Sequence, residues 1–191
     1  MKLSADRQGL KRHSAPQSNE RIFWGVLAII LVAAALRIVV QVPNFSPVAG
    51  MALFAGAYLS RKAWAFMVPL AAMFVSDLAL GFHADMPAVY LSFVLVTALG
   101  LGLRENRTVV RVGLASVASS VLFFALTNLS VWWTSAMYTH DFEGLVACFV
   151  AAIPFFQNTA VSDMIATGAL FGGWELLHRY VIPQRQAQRS N

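Results

Sequence analysis

Arg37, Asp77, Asn128 and Asp163 stand at nearly the same height in helices that are otherwise apolar. Each lies 15 to 17 residues from the basic residue that marks the near end of its helix: Arg21, Lys62, Arg111 and Arg179 respectively. At a rise of about 1.5 Å per residue this puts all four roughly 22 to 26 Å up, in the outer third of a hydrocarbon layer about 30 Å thick. Ionisable side chains there cost a few kcal/mol unless paired or hydrated, which makes them functional candidates. An arginine fork can take a carboxylate or carbonyl group bidentately, and carboxylates can orient that fork or accept from a ligand's donors. The plainer reading is that Arg37 pairs with Asp77 or Asp163 only to hold the helices together. Two acids, an arginine and several amides are more than one such pair requires.

The elements that must position these residues are membrane helices. Of the 191 residues 58% are hydrophobic and only 12% charged, a composition soluble domains do not show. Apolar runs predict six spans, at 22–42, 47–60, 63–81, 87–103, 109–133 and 158–177, in an all-α, polytopic membrane bundle. Lys2, Arg7, Lys11, Arg12 and Arg21 precede the first span, and Arg61, Lys62, Arg104, Arg107 and Arg111 fill alternate connections. Arg179, Arg185 and Arg189 follow the last span, while the other connections hold Asp85, Asp141 and Glu143. The positive-inside rule then predicts a bacterial inner-membrane protein with both termini cytoplasmic. Residues 1–21 form a polar basic tail, 22–182 the transmembrane domain and 183–191 a second tail. The first span is too long, and too poor in cleavage features, for a signal peptide, and is expected to be retained. The net charge of +5 is a topology signal that need not imply nucleic-acid binding.

The second span is short. Ser46 and Pro47 read as N-cap and first helical residue, and Arg61 and Lys62 fix the other end in the headgroups. About 14 residues reach roughly 21 Å, so Pro43 to Ser46, including Asn44, must line a cavity open to the outside. The apolar run 144–156 is too short to cross and holds Pro154 before Gln157 and Asn158, so it is expected to be an outer lid or re-entrant helix. Trp132, Phe155 and His83 fall at the mouth, where rings also serve as an ordinary interface belt. Ala33, Arg37 and Gln41 share one face of the first helix; Ser116, Ser120, Phe124 and Asn128 share one of the fifth; Thr159, Asp163 and Thr167 share one of the sixth. Such stripes should face inward. Small residues four apart, as in Ala52, Gly56 and Ser60 or Gly168 and Gly172, predict close helix packing, or a face for a further membrane subunit.

Catalytic patterns are mostly missing. There is no Gly-rich phosphate-binding run ending in Gly-Lys-Ser/Thr, no HExxH pair and no serine motif with a matched histidine in the spans. No histidine lies inside a span to clamp haem, and one cysteine, Cys148, excludes an intrachain disulfide. His83, His140 and Cys148 could meet outside to hold a metal, but loop histidines are more often simply solvated. No cofactor and no catalytic residue is expected.

The runs PNFSPVAGMALFAGAYL (43–59), SDLALGFH (76–83) and TNLSVWW (127–133) resemble a bacterial family of S-component-like transport proteins. More broadly, six helices in about 190 residues with a short second helix resemble the substrate-binding S components of energy-coupling-factor vitamin transporters. The resemblance spans 22–177. It implies a six-helix S-component-like bundle that binds a vitamin or related molecule from outside, then associates with a coupling membrane subunit and two ATPases to release it inward. One departure concerns docking: S components often carry Ala-x-x-x-Ala on the first helix, whereas Ala33, Ala34 and Ala35 are followed four residues on by Arg37, Ile38 and Val39. Solitary relatives carry cobalamin with a cysteine that reaches the cobalt; Cys148 is the sole cysteine here, and His83 is the alternative axial ligand.

The expected function is capture of a small, partly polar solute for uptake. Its site would comprise Arg37, Asn44, Asp77, Asn128, Gln157, Asn158 and Asp163, with Trp132, Phe155 and His83 at the mouth. Membrane lipid is the other partner. Two classes remain open: an intramembrane enzyme using Asp77 and Asp163 as a carboxylate pair, and a structural subunit of a membrane complex.

Overall fold

The structure is a computed structural model that describes residues 23–28, 30–32, 35, 48–82 and 84–181. Among the described residues every regular element is a helix. They are the helical residues of Phe23–Val32 (α1), Val48–Tyr58 (α2), Lys62–Leu80 (α3), Met86–Gly102 (α4), Val109–Thr134 (α5) and Phe142–Val181 (α6). Three of them, α3, α5 and α6, carry apolar stretches long enough to cross a membrane. Large apolar side chains such as Met67, Phe74, Val75 and Leu78 on α3 point outward, a surface that suits lipid.

The short α2 is the centre of the bundle, packed against α3, α4, α5 and α6. Its sequence explains why: VAGMALFAGAY is apolar on every side, and Met51 to Ala55 are fully buried. It approaches α4 backbone to backbone. A Cβ on Gly56 would collide with the Thr97 carbonyl and lie 2.9 Å from the Gly100 Cα, and a Cβ on Gly100 would strike the Leu53 carbonyl. Gly56 is thus consumed inside the bundle, which removes it from any face that docks another subunit. Gly168 and Gly172 have open space around their Cα atoms.

A helix of 11 residues ends within the protein, and its last carbonyls need donors. Arg104, just beyond α4, supplies them. Its Nε donates to the Gly56 carbonyl at 2.9 Å, one Nη to Ser60 at 3.3 Å and the other to Leu59. Hydrogen bonds from a charged donor contribute about 1.5–3 kcal/mol each, so this one basic residue, which reads as a topology marker in sequence, also anchors the end of the core helix. Arg107 stacks over the Tyr58 ring, 4.5 Å from its centroid.

The largest departure from expectation is α6. The segment 144–156 is not an element apart from the last span, because α6 runs unbroken for 40 residues with Pro154 inside it. Proline removes one intrahelical bond, a loss membrane helices tolerate where neighbouring packing holds the backbone. Here α5 provides that packing: Phe124 meets Phe149 and Phe156 at ring separations of 5.6 and 4.9 Å, and the Cys148 thiol points at the Asn128 carbonyl at 3.5 Å. The helix begins at a tight turn. The Gly144 amide and the Thr139 hydroxyl donate to the Asp141 carboxylate at 2.7 and 2.8 Å, and these bonds, the amide first, hold its pKa below the ordinary range. At about 60 Å, α6 is too long to stand upright within a 30 Å hydrocarbon layer.

Candidate functional site

The polar stripes of α5 and α6 face one another in an antiparallel seam. Ser116 donates to the Thr167 hydroxyl at 3.1 Å, and one turn further along Ser120 donates to Asp163 Oδ2 at 2.8 Å. Ser120 also lies 3.2 Å from the Ser116 carbonyl on its own helix. Ser116, Ser120, Asp163 and Thr167 are all buried, Asp163 at 2% exposure. Among the described residues Asp163 has no cationic partner. The N-terminal turn of α2 ends at this height, since a Cβ on Gly50 would sit 3.1 Å from the Ala166 Cβ and from the Thr167 amide. The positive end of the α2 dipole therefore lies beside the carboxylate level, a favourable arrangement for negative charge.

Asp77 occupies a different seam. It lies near the end of α3 at 1% exposure, and the Tyr90 hydroxyl of α4 donates to its Oδ2 at 2.8 Å. The helix stops four residues later at Gly81, whose φ of 94° favours glycine and whose amide donates to the Asp77 carbonyl. Tyr90 was not among the candidate residues. A tyrosine thirteen residues after an aspartate, across the tight turn between α3 and α4, is a signal that helical phase counting could have caught.

The remaining candidates divide. The Asn128 amide donates to the Phe124 carbonyl one turn back, at 2.8 Å. Trp132 is half-buried, with its indole N–H fixed on the Thr139 carbonyl at 2.9 Å. Phe155 is 55% exposed, and Gln157 and Asn158 are also exposed, on faces of α6 other than the one carrying Asp163 and Thr167. Arg37, Asn44 and His83 lie outside the described residues, as do Gln41 and most of the span 22–42. His140 stacks on Trp133 at 6.1 Å, Cys148 is buried against α5, and no group of three or more His, Cys, Asp or Glu side chains fit to hold a metal occurs among the described residues.

This arrangement can accept hydrogen bonds from a solute. A carboxylate has more acceptor capacity than one hydroxyl fills, and a low-dielectric setting strengthens any bond it makes. A family model described as "Family of unknown function (DUF6580)" matches residues 17–186. No curated protein and no solved structure matches the chain.

Proposed function

The chain belongs to the DUF6580 family, and we propose that it is a multi-pass inner-membrane protein that captures a small, partly polar solute from the outer side for uptake. The observation that carries this reading is Asp163, buried on a membrane-length helix with a serine hydroxyl and no described cation for company. A buried carboxylate is costly unless paired or hydrated, and a polar solute with a donor is one partner that would offset that cost. In this reading Asp163 and Asp77 accept from donors on the solute, Arg37 takes an anionic or carbonyl group, and Trp132 with its neighbours lines the mouth. The solute class is a vitamin or related cofactor precursor, in keeping with the resemblance to S components. Concentrative uptake would need a coupling membrane subunit with ATPases, because the sequence carries no phosphate-binding loop. The open surface around Gly168 and Gly172 is where such a subunit could approach closely. Both termini are cytoplasmic in this scheme.

Mass spectrometry of the gently purified protein should find a small polar molecule retained at near-equimolar amount; repeated purification from rich medium without one would oppose the proposal. Orientation has its own check. A single cysteine replacing Asp85 or Tyr138 should react with an impermeant thiol reagent applied to intact cells, and one replacing Arg107 should not; the reverse pattern would invert the topology.

A further inference from the structure

A second feature lies outside the polar seams and does not depend on the uptake reading. Between α1 and α3 runs a groove of about 420 Å³, within the range of roughly 300–1,000 Å³ typical of ligand sites. The two helices run in parallel, with Phe23 beside Trp64 at 5.3 Å at one end and Ala35 and Ser76 at the other. The hollow exists because small residues line it, Ala35 beyond α1 on one side and Ala71 and Ala72 of α3 on the other. Its lining is apolar throughout: even Ser76 turns its hydroxyl onto the Met73 carbonyl of its own helix at 2.8 Å. It opens sideways, since Leu31, Met67 and Val75 are each more than half exposed.

Length and charge together select an occupant. Trp64 and Ser76 are twelve residues apart, so the groove extends about 18 Å, close to the roughly 15 Å that one leaflet contributes to the hydrocarbon layer. Its Trp64 end adjoins Arg61 and Lys62, both exposed, with Trp24 exposed beside Phe23 as an interface ring. The opposite end of α3 offers Asp77 and, past the turn, Asp85. We propose that the groove between α1 and α3 binds one anionic phospholipid, its acyl chain along Leu27, Leu31 and Ala71 and its headgroup phosphate on Arg61 and Lys62. A second copy of this chain, or another helix, would bury the apolar wall equally well but would leave two adjacent cations at one end unmatched.

The test uses the purified full-length protein in detergent, titrated with brominated-chain phosphatidylglycerol or brominated-chain phosphatidylcholine. Bromine quenches nearby indoles, and the difference between the wild type and Trp64→Phe isolates the signal of Trp64. Quenching by phosphatidylglycerol should saturate at about tenfold lower concentration than by phosphatidylcholine, as two basic residues near an anionic group imply. Arg61→Gln with Lys62→Gln should erase that preference, and Ala71→Phe, which fills the hollow from an exposed position, should weaken quenching by both lipids. Equal titrations for the two lipids, or an Ala71→Phe curve superimposable on wild type, would reduce the groove to ordinary lipid contact and overturn the proposal. Efficient disulfide cross-linking of two Ala71→Cys copies, with no lipid quenching, would overturn it in favour of a dimer.

Discussion

Gly56→Leu should leave no folded protein to purify, while Gly168→Leu should be recovered at close to wild-type yield. The two glycines look alike in sequence, each in a small-residue row of an apolar helix. Their surroundings differ. At Gly56 an added Cβ meets the Thr97 carbonyl and the Gly100 Cα, which are backbone atoms that no rotamer change can move aside. Overpacking a core typically costs about 1–3 kcal/mol, and more where only a helix shift can relieve it. Because α2 touches four other helices, a shift at this point moves the centre of the bundle and pulls its end away from Arg104. At Gly168 nothing lies within 4 Å, and a leucine there extends an already exposed face. Size-exclusion profiles and thermal unfolding in detergent separate these outcomes. Recovery of folded Gly56→Leu with an unchanged melting temperature would mean that α2 and α4 are further apart than described. Gly168→Leu that folds yet loses coupling to a partner would assign this face to docking.

The bounds of the middle helices were legible from hydropathy and end signals alone. The expected spans 63–81, 87–103 and 109–133 match α3, α4 and α5 to within one residue at each end, because basic or turn-forming residues bracket each apolar run. The short second helix was also readable, from Ser-Pro on one side and Arg-Lys on the other. Its central position was not, since hydropathy cannot tell a helix buried by protein from one bathed in lipid. The unbroken α6 escaped for a different reason. Pro154 and the run Gln157, Asn158, Thr159 are locally valid stop signals, and only the aromatic contacts of Phe124 with Phe149 and Phe156 show why the helix continues through them. The inward turn of the α5 and α6 stripes followed from four-residue spacing, but not that the two stripes meet each other. What spacing could not supply was the partner at each level, such as Tyr90 for Asp77, or the outward turn of Gln157 and Asn158.

Asp163→Asn should abolish most solute retention while the protein stays folded. The amide of asparagine keeps an oxygen that can accept from Ser120, and the Ser120 hydroxyl also has the Ser116 carbonyl within reach at 3.2 Å, so the serine keeps a partner. What disappears is an acceptor oxygen, replaced by an NH2 that faces the solute's donor with another donor. Leaving a buried donor unmet costs about 1–3 kcal/mol, which converts to roughly 5- to 150-fold in affinity. Asp77→Asn should act in the same direction, with Tyr90→Phe producing a smaller loss, because removing the tyrosine hydroxyl leaves the carboxylate itself in place. The seam one turn away provides the contrast. Thr167→Val removes the 3.1 Å bond from Ser116, a membrane-helix bond expected to contribute only about 0.6 kcal/mol, and should lower the melting point slightly while sparing retention. If instead Asp163→Asn lowers thermal stability but leaves the retained molecule in place, the carboxylate belongs to the packing of α5 on α6. The polar level would then be a device for helix registry, and the family's ligand, if it has one, would bind elsewhere.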